Sequence, residues 1–179
     1  MLKLVRMTKN NNSENEVREG VAKLYPRLWR YCLVVSGSAQ SAADLAQATC
    51  LRALEKQALF EPGTHLDRWL FTMAQRIWLN ELRASAIRRG GGLVAVEDVD
   101  IADPRPGPET NIMAREVFRM VAALPEALRT TVLLVYVEGY SYKEAAGILD
   151  IPVGTVMSRL AAARAKLNSN VTVKKAIMP

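Results

Sequence analysis

Cysteine is nearly absent. The 179 residues hold two, Cys32 and Cys50, and His65 is the single histidine. Both cysteines sit in helical patterns in a chain with no secretory signal, so they fit neither a disulfide framework nor a metal cluster. One histidine excludes multi-histidine metal sites, and a lone His in a turn is solvated far more often than catalytic. The ten glycines form no phosphate-cradling loop. No apolar run approaches the roughly 18 residues that a membrane span needs, and the opening MLKLVRMTKNNN lacks the apolar core of an export signal. These shortages point to a cytoplasmic protein with no cofactor, no metal and no membrane insertion. They argue against an enzyme.

What the chain does hold is apolar residues, at 50%, and an uneven charge. That composition folds, and 179 residues suit one ordinary domain or two small ones. The net charge of +6 divides unevenly. Residues 21–90 carry ten basic groups against five acidic, and residues 111–179 carry nine against five. The stretch between them, 91–110, carries one basic group and five acidic. From Val153 onward there are five basic residues and no acid. Two basic blocks around an acidic segment imply an anionic partner.

Helical periodicity dominates. Residues 1–12 are polar and read as a disordered, frayed tail. Ser13 and Glu16 have capping-box spacing, ahead of Val17, Val21, Leu24, Leu28, Tyr31 and Val35. Pro26 should kink or restart that helix. Ser36-Gly37-Ser38 breaks it. Ser41 can cap a second helix with Leu45, Ala48, Leu51 and Leu54 among its apolar positions. After the turn at Phe60-Glu61-Pro62-Gly63, Thr64 and Asp67 are placed to start a third, buried along Leu66, Leu70, Met73 and Ile77.

Residues 90–110 hold Pro104, Pro106 and Pro108 with four glycines and five acids, a linker composition. Helical pattern resumes at Met113, is interrupted at Pro125, and ends at Gly139, a natural C-cap. Strand patterns are nearly absent. The expected fold is all-α, with two small helical domains over 13–89 and 111–170, a flexible linker at 90–110, and a tail at 171–179.

Residues 141–167 read as a helix-turn-helix, the arrangement that the major groove accepts. Ser141 and Glu144 form a capping box, and Ala146 is small where the helices cross. Asp150 sits where the turn wants positive φ, and Val156 faces inward. Thr155, Met157, Ser158, Arg159 and Ala162 are left on or near the outer face, with Arg164 and Lys166 further along. The plain alternative is a helical hairpin.

The run YSYKEAAGILDIPVGTVMSRLAAARAKL resembles the region 4 helix-turn-helix of ECF (extracytoplasmic function) sigma factors. Upstream, LYPRLWRYCLVVSGSAQSAADLAQATCLRALEKQALFEPGTHLDRWLFTMAQRIWLNELR resembles region 2 of the same family. Together they cover roughly residues 20–90 and 111–168, in the family's order. TVMSRL and PGTHLDRWLFT further resemble the alphaproteobacterial general-stress-response group.

The resemblance implies an alternative sigma factor, which binds core RNA polymerase and directs it to promoter DNA. For docking on core polymerase it implies Asp44, Leu45, Gln47, Thr49 and Arg52. For the −10 element, read as single strand with a flipped base, it implies the loop from Phe60 through Gly63 and His65, then Trp69, Arg76, Asn80 and Arg83. An aromatic wall for a base and cations for phosphates suit that chemistry. Trp69, Arg76 and Arg83 lie seven apart, on one helical face. For the −35 element it implies Met157, Ser158, Ala161 and Ala162, with Arg159 and Arg164 nearby. Many family members carry Asn at position 76, and basic or bulky residues at 157, 161 and 162.

A small helical anti-sigma factor is the further partner that the resemblance implies, laid across the faces both domains must leave open. Two other classes fit parts of the pattern: a sigma-like decoy that binds an anti-sigma factor, and a helix-turn-helix regulator. The decoy lacks room for a receiver domain, and the regulator does not explain region 2.

Overall fold

Periodic apolar residues without strand alternation give only helices among the described residues of the computed structural model. The structure describes residues 2–88 and 120–177, and side chains over 12–88 and 120–168. Helix α1 is Leu2–Ser36 and α2 is Ala39–Glu55; a 3-10 turn at Gln57–Leu59 leads to α3, Leu66–Arg88. Residues 120–122 are helical, then α4 spans Glu126–Val132 and continues as a π-helical turn over Leu133–Val137. Helix α5 is Tyr142–Leu149 and α6 is Val153–Ile177. The fold is all-α.

Several sequence expectations are corrected here. The tail expected over 1–12 is helical from Leu2, and Ser13 lies buried inside α1 instead of capping it. Lys and Asn cost only tenths of a kcal/mol each in a helix that is already nucleated. Pro26 does not interrupt α1. Ala22 and Pro26 both face outward, where water can serve the carbonyl that proline leaves unbonded. Helix α2 begins at Ala39, ahead of Ser41. Thr64 does not cap α3: its hydroxyl donates 2.6 Å to the Glu61 carbonyl and closes the preceding turn. The tail expected over 171–179 is helical to Ile177. The linker assigned to 90–110 lies outside the described residues.

The described residues form two units, 2–32 with 40–88 and 33–39 with 120–177. In the first, Leu28, Tyr31, Leu45, Ala46, Leu70, Phe71 and Ala74 make the core. Tyr31 stacks on Phe71 at 4.7 Å and donates 2.7 Å to Gln75 Oε1. Each such fully buried side chain stabilises by about 1.5–3 kcal/mol through the apolar area withdrawn from water. Arg27 lies over the Phe71 ring and pairs with Asp67 at 3.3 Å, which ties α1 to the start of α3. Gly20 permits that approach, since a Cβ there would collide with the Leu66 side chain.

In the second unit Leu134, Ala145, Ile148, Leu149, Val156, Leu160 and Ala163 form the core. Arg129 is buried within it. Its Nε donates 2.6 Å to the Val34 carbonyl and its Nη1 donates to the carbonyls of Ala122 and Leu124. Burial lowers its pKa, partly offset by the Glu126 charge. A cation spread over carbonyls, two of them where a helical segment ends, meets partial negative charge with little reorganisation.

Candidate polymerase and nucleic-acid interfaces

Helix α2 carries apolar residues on more than one face, and the structure sorts them. Leu45 and Thr49 are fully buried, with the Thr49 hydroxyl donating 2.7 Å to the Leu45 carbonyl. As direct contacts for polymerase they are corrected, because neither can reach a partner's surface. Asp44, Gln47 and Arg52 are exposed, and Gln40 Nε2 donates to Asp44. Leu51 lies on the same outward stripe at 61% exposure, and Leu54 and Leu59 stand out beside it. Apolar character alone groups Leu51 with Leu45, which is buried. The seven-residue spacing of Leu51 from Asp44 was the available signal that it faces out.

The loop ahead of α3 is built from its backbone. Gly63 has φ +78°, and its N–H donates 3.1 Å to Glu16 Oε2 on α1. Gly63 and His65 are exposed. Phe60 is 3% exposed and packs on Trp69, ring centroids 5.4 Å apart. The role of Phe60 as a base-stacking surface is therefore corrected: both its faces are covered, and it supports Trp69 from beneath. Trp69 is half-buried, which leaves part of the indole available. Arg76, Asn80 and Arg83 follow as an exposed row, with Arg83 Nη1 donating 3.1 Å to Asn80 Oδ1. The anchoring by Glu16, 47 residues from Gly63, escaped the sequence reading.

The helix-turn-helix has its expected local chemistry. Ser141 Oγ accepts from the Glu144 N–H, and Glu144 Oε2 accepts from the Ser141 N–H at 2.8 Å. Gly139 has φ +77°. Asp150 adopts φ 55° and ψ 49°, the left-handed turn that ends α5, and its N–H reaches the Ala146 carbonyl. The α5 and α6 axes bend by 102°. Val156, Leu160 and Ala163 bury one stripe of α6. Ser158, Ala161 and Ala162 form a small-residue tip opposite it, all exposed. Met157 and Arg164 lie on one flank, while Thr155, Arg159 and Lys166 lie on the other. Arg164 does not point freely outward: its Nη2 donates 3.1 Å to the Tyr136 hydroxyl. Neither tyrosine of that neighbourhood, Tyr136 or Tyr142, was singled out from sequence.

The two cysteines are free, Cys32 buried and Cys50 half-buried. Burial, with a smaller push from Cys50, drives the Cys32 thiol up to about 12, and burial also raises Cys50. Both remain thiols near neutrality. Among the described residues no His, Cys, Asp and Glu group is arranged to hold a metal ion. No single helix among them is long and apolar enough to cross a membrane.

Two small helical units, one with an aromatic and basic row and one with a basic-flanked helix-turn-helix, have the features of a nucleic-acid-binding protein. The sigma-70 region 2 family matches residues 21–87, and the sigma-70 region 4 family matches 114–167. The chain belongs to the ECF sigma factors of that family. It is 33% identical over 160 residues to the ECF RNA polymerase sigma factor EcfG of Rhodopseudomonas palustris (strain TIE-1), covering 87% of this chain and 84% of that one. It is 32% identical over 136 residues to the RNA polymerase sigma-H factor of Pseudomonas aeruginosa, covering 70% of each. Among solved structures, the sigma factor RpoE in complex with the anti-sigma factor NepR from Bartonella quintana matches with a TM-score of 0.72 at 25% identity, over 87% of this chain and 96% of that one. CnrH, solved with the cytosolic domain of CnrY, shares the fold at a TM-score of 0.61 and 18% identity, over 95% and 96%.

Proposed function

We propose that this sigma factor docks on core RNA polymerase through the outward face of α2, with Asp44, Gln47 and Arg52 around an apolar contact at Leu51, Leu54 and Leu59. A mixed stripe of this kind buries apolar area at its centre and keeps charge at the rim, as a protein interface requires. The row Trp69, Arg76, Asn80 and Arg83 then takes the −10 element as single strand, with Trp69 stacking on a base and the arginines meeting phosphates. The loop at Gly63 and His65 borders the same face. Helix α6 enters the major groove of the −35 element with Ser158, Ala161 and Ala162 at its tip, while Met157, Arg159 and Lys166 flank it. The protein acts in the cytoplasm, has no catalytic residues of its own, and serves a general stress response. A small helical anti-sigma protein holds it inactive until the stress signal.

The observation that carries this reading is the exposed row Arg76, Asn80 and Arg83 seated just after a half-buried tryptophan. The similarity to EcfG and to a sigma factor solved with its anti-sigma partner supports the regulatory part. Affinity capture of the tagged chain from unstressed cells tests it. A near-stoichiometric small helical protein is expected, giving way to core polymerase after stress. Core polymerase alone in unstressed cells, with full transcription activity, overturns sequestration.

A further inference from the structure

The tip of α6 is unusually bare for a helix read as entering the major groove. Ser158, Ala161 and Ala162 are its exposed residues, and none of them carries a cation or a bidentate donor pair. Affinity for duplex DNA must then come largely from the flanks, where phosphates wall the groove. One flank of α6 carries a preassembled group. Arg164 follows Met157 by seven residues and Ala161 by three, so it stands beside the tip. Its Nη2 donates 3.1 Å to the Tyr136 hydroxyl. Tyr136 is 56% exposed and Tyr142, the first residue of α5, is 37% exposed. Lys143 is exposed next to it.

The chemistry of this group is one-sided. A phenol oxygen that accepts from a guanidinium becomes a stronger donor through its own O–H, since linked hydrogen bonds polarise one another. The guanidinium keeps its remaining N–H groups in a planar fork that suits a phosphate. The phenol of Tyr136, and to a smaller degree that of Tyr142, stabilises Arg164 in its charged form. The nearby carboxylate of Glu144 is turned inward to the Ser141 N–H and hydroxyl. The first helix of a helix-turn-helix crosses the DNA backbone, so the start of α5 is where a phosphate passes when the second helix is seated.

We infer that Tyr136, Tyr142 and Arg164 form a seat for one phosphodiester group of duplex DNA on the wall of the groove that α6 enters. This rests on the −35 reading and deepens it: Arg164 is a backbone contact that fixes the depth and register of α6, and it reads no base. Holding Arg164 on Tyr136 lowers the rotamer entropy lost when the phosphate arrives. With the opposite flank carrying Arg159 and Lys166, the small tip is pressed against base edges from both sides.

The test uses holoenzyme assembled from core polymerase and the full chain, with a duplex promoter fragment that this holoenzyme transcribes. Single phosphates across the −35 element are neutralised one at a time as methylphosphonates. With wild type, one position should weaken binding clearly more than its neighbours. With Arg164→Gln that position should lose its effect, and the slope of log affinity against log salt should become shallower by about 0.9. Tyr136→Phe, at an exposed position where the ring is kept, should weaken binding about tenfold or more with little change in slope, as for one lost hydrogen bond to a charged group. Base-pair changes within the −35 element should weaken all three proteins alike. An unchanged slope in Arg164→Gln, or the same methylphosphonate profile in wild type and variant, overturns the seat while leaving −35 recognition standing. Loss of core binding by Tyr136→Phe overturns it in favour of a polymerase contact. Indifference of wild type to −35 base changes removes the underlying reading, and the seat with it.

Discussion

Replacing Ser141 by alanine removes one half of the capping box that starts the helix-turn-helix. Helix α5 has eight residues, well short of the roughly 12–15 at which an isolated helix becomes marginal, so its ends weigh heavily. Ser141 Oγ satisfies the Glu144 N–H at 3.3 Å, and the Glu144 carboxylate satisfies the Ser141 N–H at 2.8 Å. Loss of an N-cap of this type costs about 1 kcal/mol, within a range of roughly 0.5–2. About 1 kcal/mol corresponds to a fivefold change in an opening equilibrium. Amide hydrogen exchange is the assay, because the Ala145 N–H is bonded 2.9 Å to the Ser141 carbonyl within the affected turn. In Ser141→Ala the amides of Ala145 and Ile148 should exchange about fivefold faster, and Glu144→Gln, which keeps an acceptor, should change them less. The three tryptophans, Trp29, Trp69 and Trp78, all belong to the first unit, so its unfolding can be followed separately by fluorescence. Unchanged exchange at Ala145 and Ile148 in Ser141→Ala would show that the cap does not hold α5.

Phe60→Ala should destabilise the first unit by about 3–5 kcal/mol in denaturant titration, because Phe60 is buried against Trp69. Trp69→Ala should instead reduce promoter melting, scored by permanganate reactivity of thymines, more than closed-complex binding, through loss of about 1–3 kcal/mol of base stacking. Leu51→Arg should weaken core polymerase binding at least tenfold in a competition assay with little change in thermal stability, as Leu51 contributes nothing to the core; wild-type binding would remove the α2 face from the interface. Cys32 gives a pH prediction. Its folded-state pKa, near 12, lies above the ordinary 9.0, so stability from keeping it neutral is present below pH 9 and is lost as pH rises toward 12. That loss proceeds at up to about 1.4 kcal/mol per pH unit. Cys32→Ala should flatten this alkaline decline in denaturation midpoints measured from pH 8 to 11, and an unaltered decline would assign it elsewhere.

The elements that could be read from sequence are those fixed by short-range chemistry. Ser141 with Glu144, the left-handed Asp150 and the positive-φ Gly139 each declare themselves within four residues, and each is found in place. Errors arose where a local signal had a competing use. Ser13 and Glu16 match a capping box, yet Ser13 is buried within α1 and Glu16 reaches across to the Gly63 N–H. Thr64 could cap α3 but bonds backward to Glu61. On α2, Leu45, Leu51 and Leu54 are all apolar, and hydrophobicity alone does not say which stripe meets the core. Packing within the first unit does, and it turns Leu45 in and Leu51 out. The pairing of Tyr136 with Arg164 spans 28 residues and depends on the 102° bend between α5 and α6, which no periodicity encodes.

The most direct test of the whole account is promoter-specific initiation in a purified system. Core RNA polymerase is mixed with the full chain and a set of genomic promoter fragments, and transcripts and melted thymines are mapped together. The chain should form a stable complex with core and start transcription at a defined subset of promoters. A bubble should open over the −10 element and disappear with Trp69→Ala and Arg76→Ala together. A chain that binds duplex DNA but neither associates with core polymerase nor opens any promoter would contradict the account.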